Sequence, residues 1–325
     1  MRVFVTGAAS PLGRVLTQLL LQRGDAVVCQ VRRRSAVGVL QRMGAEPVRA
    51  DLSDSRRLSH AMDGCERLYH LAQFFDFWAP SLTTFHDINV FGTENAMAAA
   101  LTSGVRRAVV CSTALTIEER PADLKSMGRR PRGHGRTAYE RSAVAAETLA
   151  LRFRARGMEV VIANPALVLA PSDPGWIGRL VASQVSGLRR SASKAPMGWI
   201  SVLDTAHGII RAADVGRSGA RYTLCADTLS AHELLTHVAR LAGKEPPQPS
   251  SPALTMAHAY LSTRMSEAFG RRPSVSIDEA RFTNAGFCVD GADASLSLEL
   301  NYTPLNRYLP GVVASYRKKM RYFAR

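Results

Sequence analysis

Residues 5–14 read VTGAASPLGR, an apolar strand that stops at a glycine and restarts as a helix. Gly7 permits the tight turn out of the strand, and Gly13 lets the helix pack close to the sheet. Ser10 stands where a third glycine would give the backbone its nearest approach to a ligand, so that approach is more crowded. Ser10 followed by Pro11 is nevertheless a well-specified N-cap and first-turn pair, with Leu12 completing the turn. A helix that starts this way aims backbone N–H groups and the positive end of its dipole at one spot, which suits the pyrophosphate of a dinucleotide. A degenerate glycine loop alone is a weak signal; as the first turn of a repeating β–α pattern it is a strong one.

That pattern extends outward from the turn. Helices are expected over 11–23, around 35–43, over 54–62 and over 84–103, and one runs from Tyr139. Between them lie the strands DAVVCQV, EPVRADL, RLYHLA and RAVVCST, and EVVIANPALV follows the last helix. Strands separated by helical patterns give a parallel sheet covered on both faces, an α/β doubly wound Rossmann-type fold. The second half is more irregular. It has a helix in SAHELLTHVARLAGK, a loop in KEPPQPSSP and a helix over roughly 253–269. The expected organisation is a dinucleotide-binding domain over 1–165 and a smaller, mainly substrate-binding cap over 166–325, with segments around 198–215 returning to the first domain.

At the end of the second strand, CQVRRRS offers no acid for a ribose 2′-hydroxyl. Arg32 and Arg33 can instead hold a 2′-phosphate bidentately, which favours NADP, with NAD as the alternative. Asp51 and Leu52, after the third strand, suit the adenine edge.

The bulk composition narrows the field. The 325 residues are 46% hydrophobic and 21% charged, the balance of a globular chain. The net charge of +15 is mostly arginine spread along the chain without a nucleic-acid-binding motif, so no nucleic-acid partner is expected. The C-terminal YRKKMRYFAR is the densest basic cluster and reads as a basic helix end. No apolar run reaches the ~18–20 residues of a membrane span. MRVFVTGAAS reads as a strand rather than a signal peptide, so a soluble, cytoplasmic protein is expected. Five scattered cysteines contain no CxxC pair and read as reduced thiols. His70, His86 and His134 have no zinc-like spacing, and no metal is expected.

Further along, the motifs resemble those of the extended short-chain dehydrogenase/reductases, nearest the branch of 3β-hydroxysteroid dehydrogenases and dihydroflavonol reductases. The resemblance rests on TGAASPLG, on Asp51-Leu52, on HLAQ at 70–73, on NVFGTEN at 89–95 and on CSTAL at 111–115. It continues through NPALVLAP at 164–171, VLDTA at 202–206 and LNYTP at 300–304. It implies cofactor contacts from Leu71, Ala72, Gln73, Asn89, Asn164, Pro165 and Ala166. It also implies a homodimer through the helices around 84–103 and 138–155.

The family's catalytic YxxxK appears here as YERSA, which keeps Tyr139 and Ser142 but puts Ala143 in the lysine's place. The hydroxyl that bonds the substrate oxygen maps to Thr113, with Ser112 as its neighbour. Arg141, two residues from Tyr139, points to another side of the helix. Lys125, or an arginine of GRRPRGHGR at 128–136, is the candidate replacement cation.

A phenol with a pKa of ~10 is already an acid at neutral pH but not a base, so the missing lysine biases the site toward reduction. The expected function is NAD(P)H-dependent reduction of a hydrophobic carbonyl compound. The alternatives are a non-redox enzyme (isomerase, cyclase or dehydratase), a silent NADP-binding sensor or a nucleotide-sugar epimerase. Phe74, Phe75, Phe77 and Trp78, with Phe85 nearby, are expected to line the substrate pocket, and Trp176, Met197 and Trp199 to close it.

Overall fold

The computed structural model describes residues 1–81, 83–117 and 135–323, with side chains as far as 318. Lys125, His134 and most of the loop 128–136 lie outside the described residues. The first half alternates β1 (Arg2–Thr6), α1 (Pro11–Gln22), β2 (Ala26–Val31), α2 (Val37–Met43), β3 (Glu46–Arg49), α3 (Ser55–Ala61) and β4 (Arg67–His70). Then come α4 (Thr83–Phe85), α5 (Gly92–Thr102), β5 (Arg107–Cys111), α6 (Ala138–Arg152) and β6 (Glu159–Pro165). The helix expected over 84–103 contains a π-helical stretch, His86–Phe91, between α4 and α5.

The remaining elements are β7 (Leu167–Leu169), α7 (Trp176–Val185), β8 (Ser191–Ala192), β9 (Pro196–Ser201), α8 (Val202–Val215), β10 (Arg221–Leu224) and β11 (Asp227–Ser230). The chain ends with α9 (Ala231–Ala242), β12 (Gln248–Pro249), α10 (Pro252–Phe269), α11 (Ile277–Ala285), α12 (Ala292–Leu298) and α13 (Leu305–Phe323).

Seven strands form one sheet in the order β10-β6-β5-β4-β1-β2-β3, every neighbouring pair parallel. The side-chain period of two distributes each strand over two cores. Val3, Val5, Val27, Cys29, Val109 and Val161 face α1 and α8, where Leu16, Leu20, Ala206 and Ile209 meet them. Phe4, Val28, Ala108, Val110, Val160 and Ile162 face α3, α5 and α6, against Leu58, Ala96, Met97 and Ala150.

EVVIANPALV is not one strand. It breaks at Ala166, and β7 leaves for a second sheet of order β11-β9-β7. KEPPQPSSP likewise contains β12, which pairs in parallel with β8. These small sheets and α7 and α9–α13 form the irregular half. Its first sheet runs straight from β9 into α8, which returns to lie against α1 and the large sheet.

Strand order reverses at β1, which has β2 on one side and β4 on the other. The turns after β1 and β4 therefore face each other across the sheet's carboxyl edge, where ligands of such sheets sit.

Candidate functional site

At Gly7 and Gly13 the turn after β1 and the start of α1 tolerate no side chain. Gly7 has φ +68°, and a Cβ there would lie 2.9 Å from the Ala72 nitrogen. A Cβ on Gly13 would fall 2.3 Å from the Gly7 carbonyl oxygen. Ser10 is the N-cap of α1, its hydroxyl accepting from the Gly13 N–H at 3.0 Å, with Pro11 in the first turn. Gln30, buried on β2, donates to the Ala50 carbonyl at 2.6 Å and joins β2 to the end of β3.

Two hollows flank this turn. One is lined by Ala9, Ser10, Arg14, Arg32, Arg33 and Ser35. Arg14 bonds the Ala9 carbonyl through Nε at 3.0 Å, which steadies its guanidinium beside the hollow. The other is lined by Val31, Arg32, Arg49, Ala50, Asp51 and Arg57. Asp51 accepts from the Ser53 N–H and hydroxyl at 2.9 and 2.8 Å, and these bonds hold its carboxyl below the usual carboxylate range. A glycine cradle, a helix N-terminus, a basic hollow and a neighbouring cleft fit a dinucleotide, and the basic hollow fits a 2′-phosphate.

Behind the turn runs a buried polar chain. Thr6 Oγ1 meets His70 Nδ1 at 2.8 Å, and also accepts from the Leu71 and Ala72 N–H groups. His70 Nε2 meets Thr93 Oγ1 at 3.0 Å, and Thr93 donates to the Asn89 carbonyl. Complete burial pushes His70 down to about 4, so it is neutral at pH 7 and serves this network. Asn89 donates to Ser142 at 2.8 Å, accepts from the Phe74 N–H at 2.7 Å, and so fixes the segment after β4 to α6.

Thr137 caps α6, and Tyr139 follows one residue into the helix. Tyr139 is buried, and its hydroxyl donates to Gln73 Oε1 at 3.1 Å. Burial lifts the phenol above its usual value and Cys111 pushes the same way; a hydrogen bond from Thr113 opposes them, and Glu147 and Glu140 add to the rise. The phenol therefore keeps its proton at neutral pH.

Ala143, one turn further, has no exposed surface. One turn beyond it, Glu147 is buried, paired with Arg221 at 2.8 Å and bonded by Thr116 and Asn164. Asn164 also donates to the Thr113 carbonyl at 3.1 Å, so this residue holds the Thr113 backbone from inside the protein. Ser112 Oγ and Asn164 Oδ1 are buried without a partner among the described residues. Arg141 points away and is exposed. Pro165 ends β6, and Ala166 is buried at the break before β7.

Phe75 opens an aromatic wall, its ring centroid 4.8 Å from that of Tyr139. Phe75 meets Phe77 edge-on at 5.6 Å, Phe77 meets Trp176 edge-on at 5.0 Å, and Phe77 stacks on Phe282 at 4.6 Å. Phe287 extends the wall from Phe282. Phe74 turns instead to Phe85. Trp78 stands apart, under the Arg272 guanidinium. Met197 and Trp199 have no exposed surface; the Trp199 indole donates to the Leu229 carbonyl, and both fill the interior of the irregular half.

Between the phenylalanines, buried Asp76 is clasped by Arg179 at 2.9 Å and Arg272 at 2.5 Å. Burial works against its charge, but the two arginines prevail and hold the carboxyl low. Phe282, Phe287, Glu147, Asp76 and Arg14 were not identified from the sequence. The one local hint was Ser276 three residues before Glu279, the N-cap that starts α11 and so places Phe282. No group of His, Cys, Asp and Glu suited to a metal occurs among the described residues.

A switch-point cradle for a dinucleotide beside a buried tyrosine defines a nucleotide-dependent enzyme of the Rossmann class. The NAD dependent epimerase/dehydratase family matches residues 3–225, and the chain belongs to that family. It is 30% identical over 326 residues to sterol demethylase protein B of Methylococcus capsulatus, a match covering 98% of this chain and 99% of the relative. It is 30% identical over 235 residues to 4-hydroxy-2-methyl-3-oxo-4-farnesyl-3,4-dihydroquinoline-1-oxide ketoreductase of Stigmatella aurantiaca, covering 69% of this chain and 68% of the relative. A double mutant of DesIV, the dTDP-glucose 4,6-dehydratase of Streptomyces venezuelae solved with NAD bound, superposes with a TM-score of 0.79 at 19% identity, covering 99% and 98% of the two chains. The chain is an NAD(P)-dependent oxidoreductase of the extended short-chain type.

Proposed function

We propose that this enzyme reduces a hydrophobic, aromatic or polycyclic carbonyl compound, with NADPH preferred and Tyr139 as the proton donor. The observation that carries this reading is the buried, protonated Tyr139 phenol, set between Gln73 and Thr113 with its ring against Phe75. When bound, the nicotinamide cofactor supplies a hydride. The substrate oxygen takes over the phenol bond that Gln73 accepts at rest. As that oxygen gains charge, the Tyr139 O–H gives it the proton and the Thr113 hydroxyl donates a second hydrogen bond. The phenolate then regains a proton from solvent. Half-buried Phe75, backed by the buried rings of Phe77, Trp176 and Phe282, suits an apolar substrate face. Arg14, Arg32 and Arg33 around one hollow suit the extra phosphate of NADPH.

Because the phenol is held protonated, reduction is favoured over alcohol oxidation at neutral pH. The direct test is NADPH consumption with a panel of apolar ketones, for the native enzyme and for Tyr139→Phe. The variant should lose about 10²–10⁴ of the rate while binding NADPH as before. The native rate should stay level through neutral pH and fall only in the alkaline range, where the phenol ionises. Tight NADPH binding without turnover supports the second reading, a non-redox isomerase, cyclase or dehydratase, which Ala143 in place of the family lysine favours.

A further inference from the structure

Helix α10 is built inside out. Its buried positions are small, Ala259, Ser262 and Ser266. Its large apolar residues face solvent: Leu254 is 72% exposed, Leu261 61%, Met265 54% and Phe269 71%. Their spacing of seven, four and four puts them in one stripe along the helix. Tyr260 flanks the stripe, 59% exposed. The ionisable groups exposed on α10 are His258, Arg264 and Glu267, and the last two pair with each other at 3.3 Å.

The helix is tied firmly to the molecule, so the stripe is held in place. Ser262 meets Ser274 at 2.9 Å, and Ser276 at the start of α11 donates to the Phe77 carbonyl. Between those anchors Arg272 lies over Trp78 and pairs with Asp76. The segment that follows the stripe is thereby fastened to Asp76, Trp78 and the Phe77 carbonyl.

We infer that α10 docks this enzyme on an anionic lipid surface, the helix lying in the plane of the bilayer with Leu254, Leu261, Met265 and Phe269 inserted. An 18-residue helix is ~27 Å long and ~10 Å wide, so a protein partner on this face gains a footprint of about 300 Å². That is well short of the ~800 Å² per partner in a stable pair. A bilayer asks for no matched surface, only an apolar stripe and attractive charge. The chain carries +15 overall, and exposed Arg271 follows the end of α10, while Arg281 on α11 is paired with Asp278 at 3.4 Å. No helix among the described residues is long and apolar enough to cross a membrane, so the attachment is peripheral.

The test is co-sedimentation of the full chain with phosphatidylcholine vesicles, with and without phosphatidylglycerol, alongside Leu261→Asp/Phe269→Asp. Both positions are exposed, so the variant should match the native chain in circular dichroism and thermal unfolding. The native chain should partition onto the phosphatidylglycerol vesicles, and the variant at least ~tenfold less. Raised salt should weaken native binding without abolishing it. The inference is overturned if the native chain stays in the supernatant, or if the variant binds equally. It is also overturned if, without lipid, the native chain self-associates in sedimentation equilibrium and the variant does not.

Discussion

The two sides of the cleft are made by different means. The nucleotide side is shaped by backbone: Gly7 and Gly13 leave space where any Cβ would collide, and α1 starts beneath the hollow. The aromatic side is shaped by side chains: Phe75, Phe77, Trp176 and Phe282 come from three distant segments and meet through their rings and the Asp76 clasp beside them. The backbone side is written in a dozen consecutive residues, whereas the aromatic side exists only in the folded chain. Damage to one should therefore spare the other.

Phe282→Ala should have the largest effect. Removing a buried ring that touches Phe77, Trp176 and Phe287 should cost about 4 kcal/mol of stability, read as a lower denaturant midpoint. Nucleotide affinity should be nearly unchanged below that midpoint; a lost nucleotide site would erase the contrast. Gly13→Ala should come next, at about 3 kcal/mol, because its Cβ lands on backbone rather than on a flexible side chain. Here cofactor titration should fail while the near-ultraviolet signal of the aromatic wall persists.

How much of this was legible in the sequence follows the same division. The β–α order, Gly7, Gly13 and the Ser10 cap could be read because each depends on near neighbours and on a regular period. Tyr139 and Thr113 could be placed by their motifs. Phe282 and Glu147 could not, since their partners are set by which strands become neighbours. The same cause hid the true surroundings of Asn164, which faces Glu147 and the Thr113 carbonyl in the interior. Met197 and Trp199 looked like pocket residues because aromatic and sulfur side chains have one composition whether they line a cleft or fill a core.

Two smaller effects sharpen the contrast within the nucleotide side and at the phenol. Arg32→Ala/Arg33→Ala should weaken NADPH binding ~10–100-fold, the worth of one or two charge-assisted bonds, and leave NADH binding nearly unaffected. Fluorescence titration with both nucleotides checks it, and an equal loss for both would dissociate these arginines from the 2′-phosphate. Ala143→Lys should have the smallest effect. An ammonium one turn from Tyr139, on the same face, favours the phenolate, so the alkaline fall in the carbonyl-reduction rate should move about one pH unit toward neutral. The pH–rate profile reports it.

The clasp around Asp76 sets an order of events as well as a shape. Arg272 reaches back across 196 residues to this carboxylate, and Ser276 across 199 to the Phe77 carbonyl. Loops of that size close late, after the local β–α units have formed. On the ribosome, β1 to β5 can emerge and pair long before α11 is synthesised. Each newly made molecule thus acquires its nucleotide cradle first, and the aromatic wall only when nearly the whole chain is out.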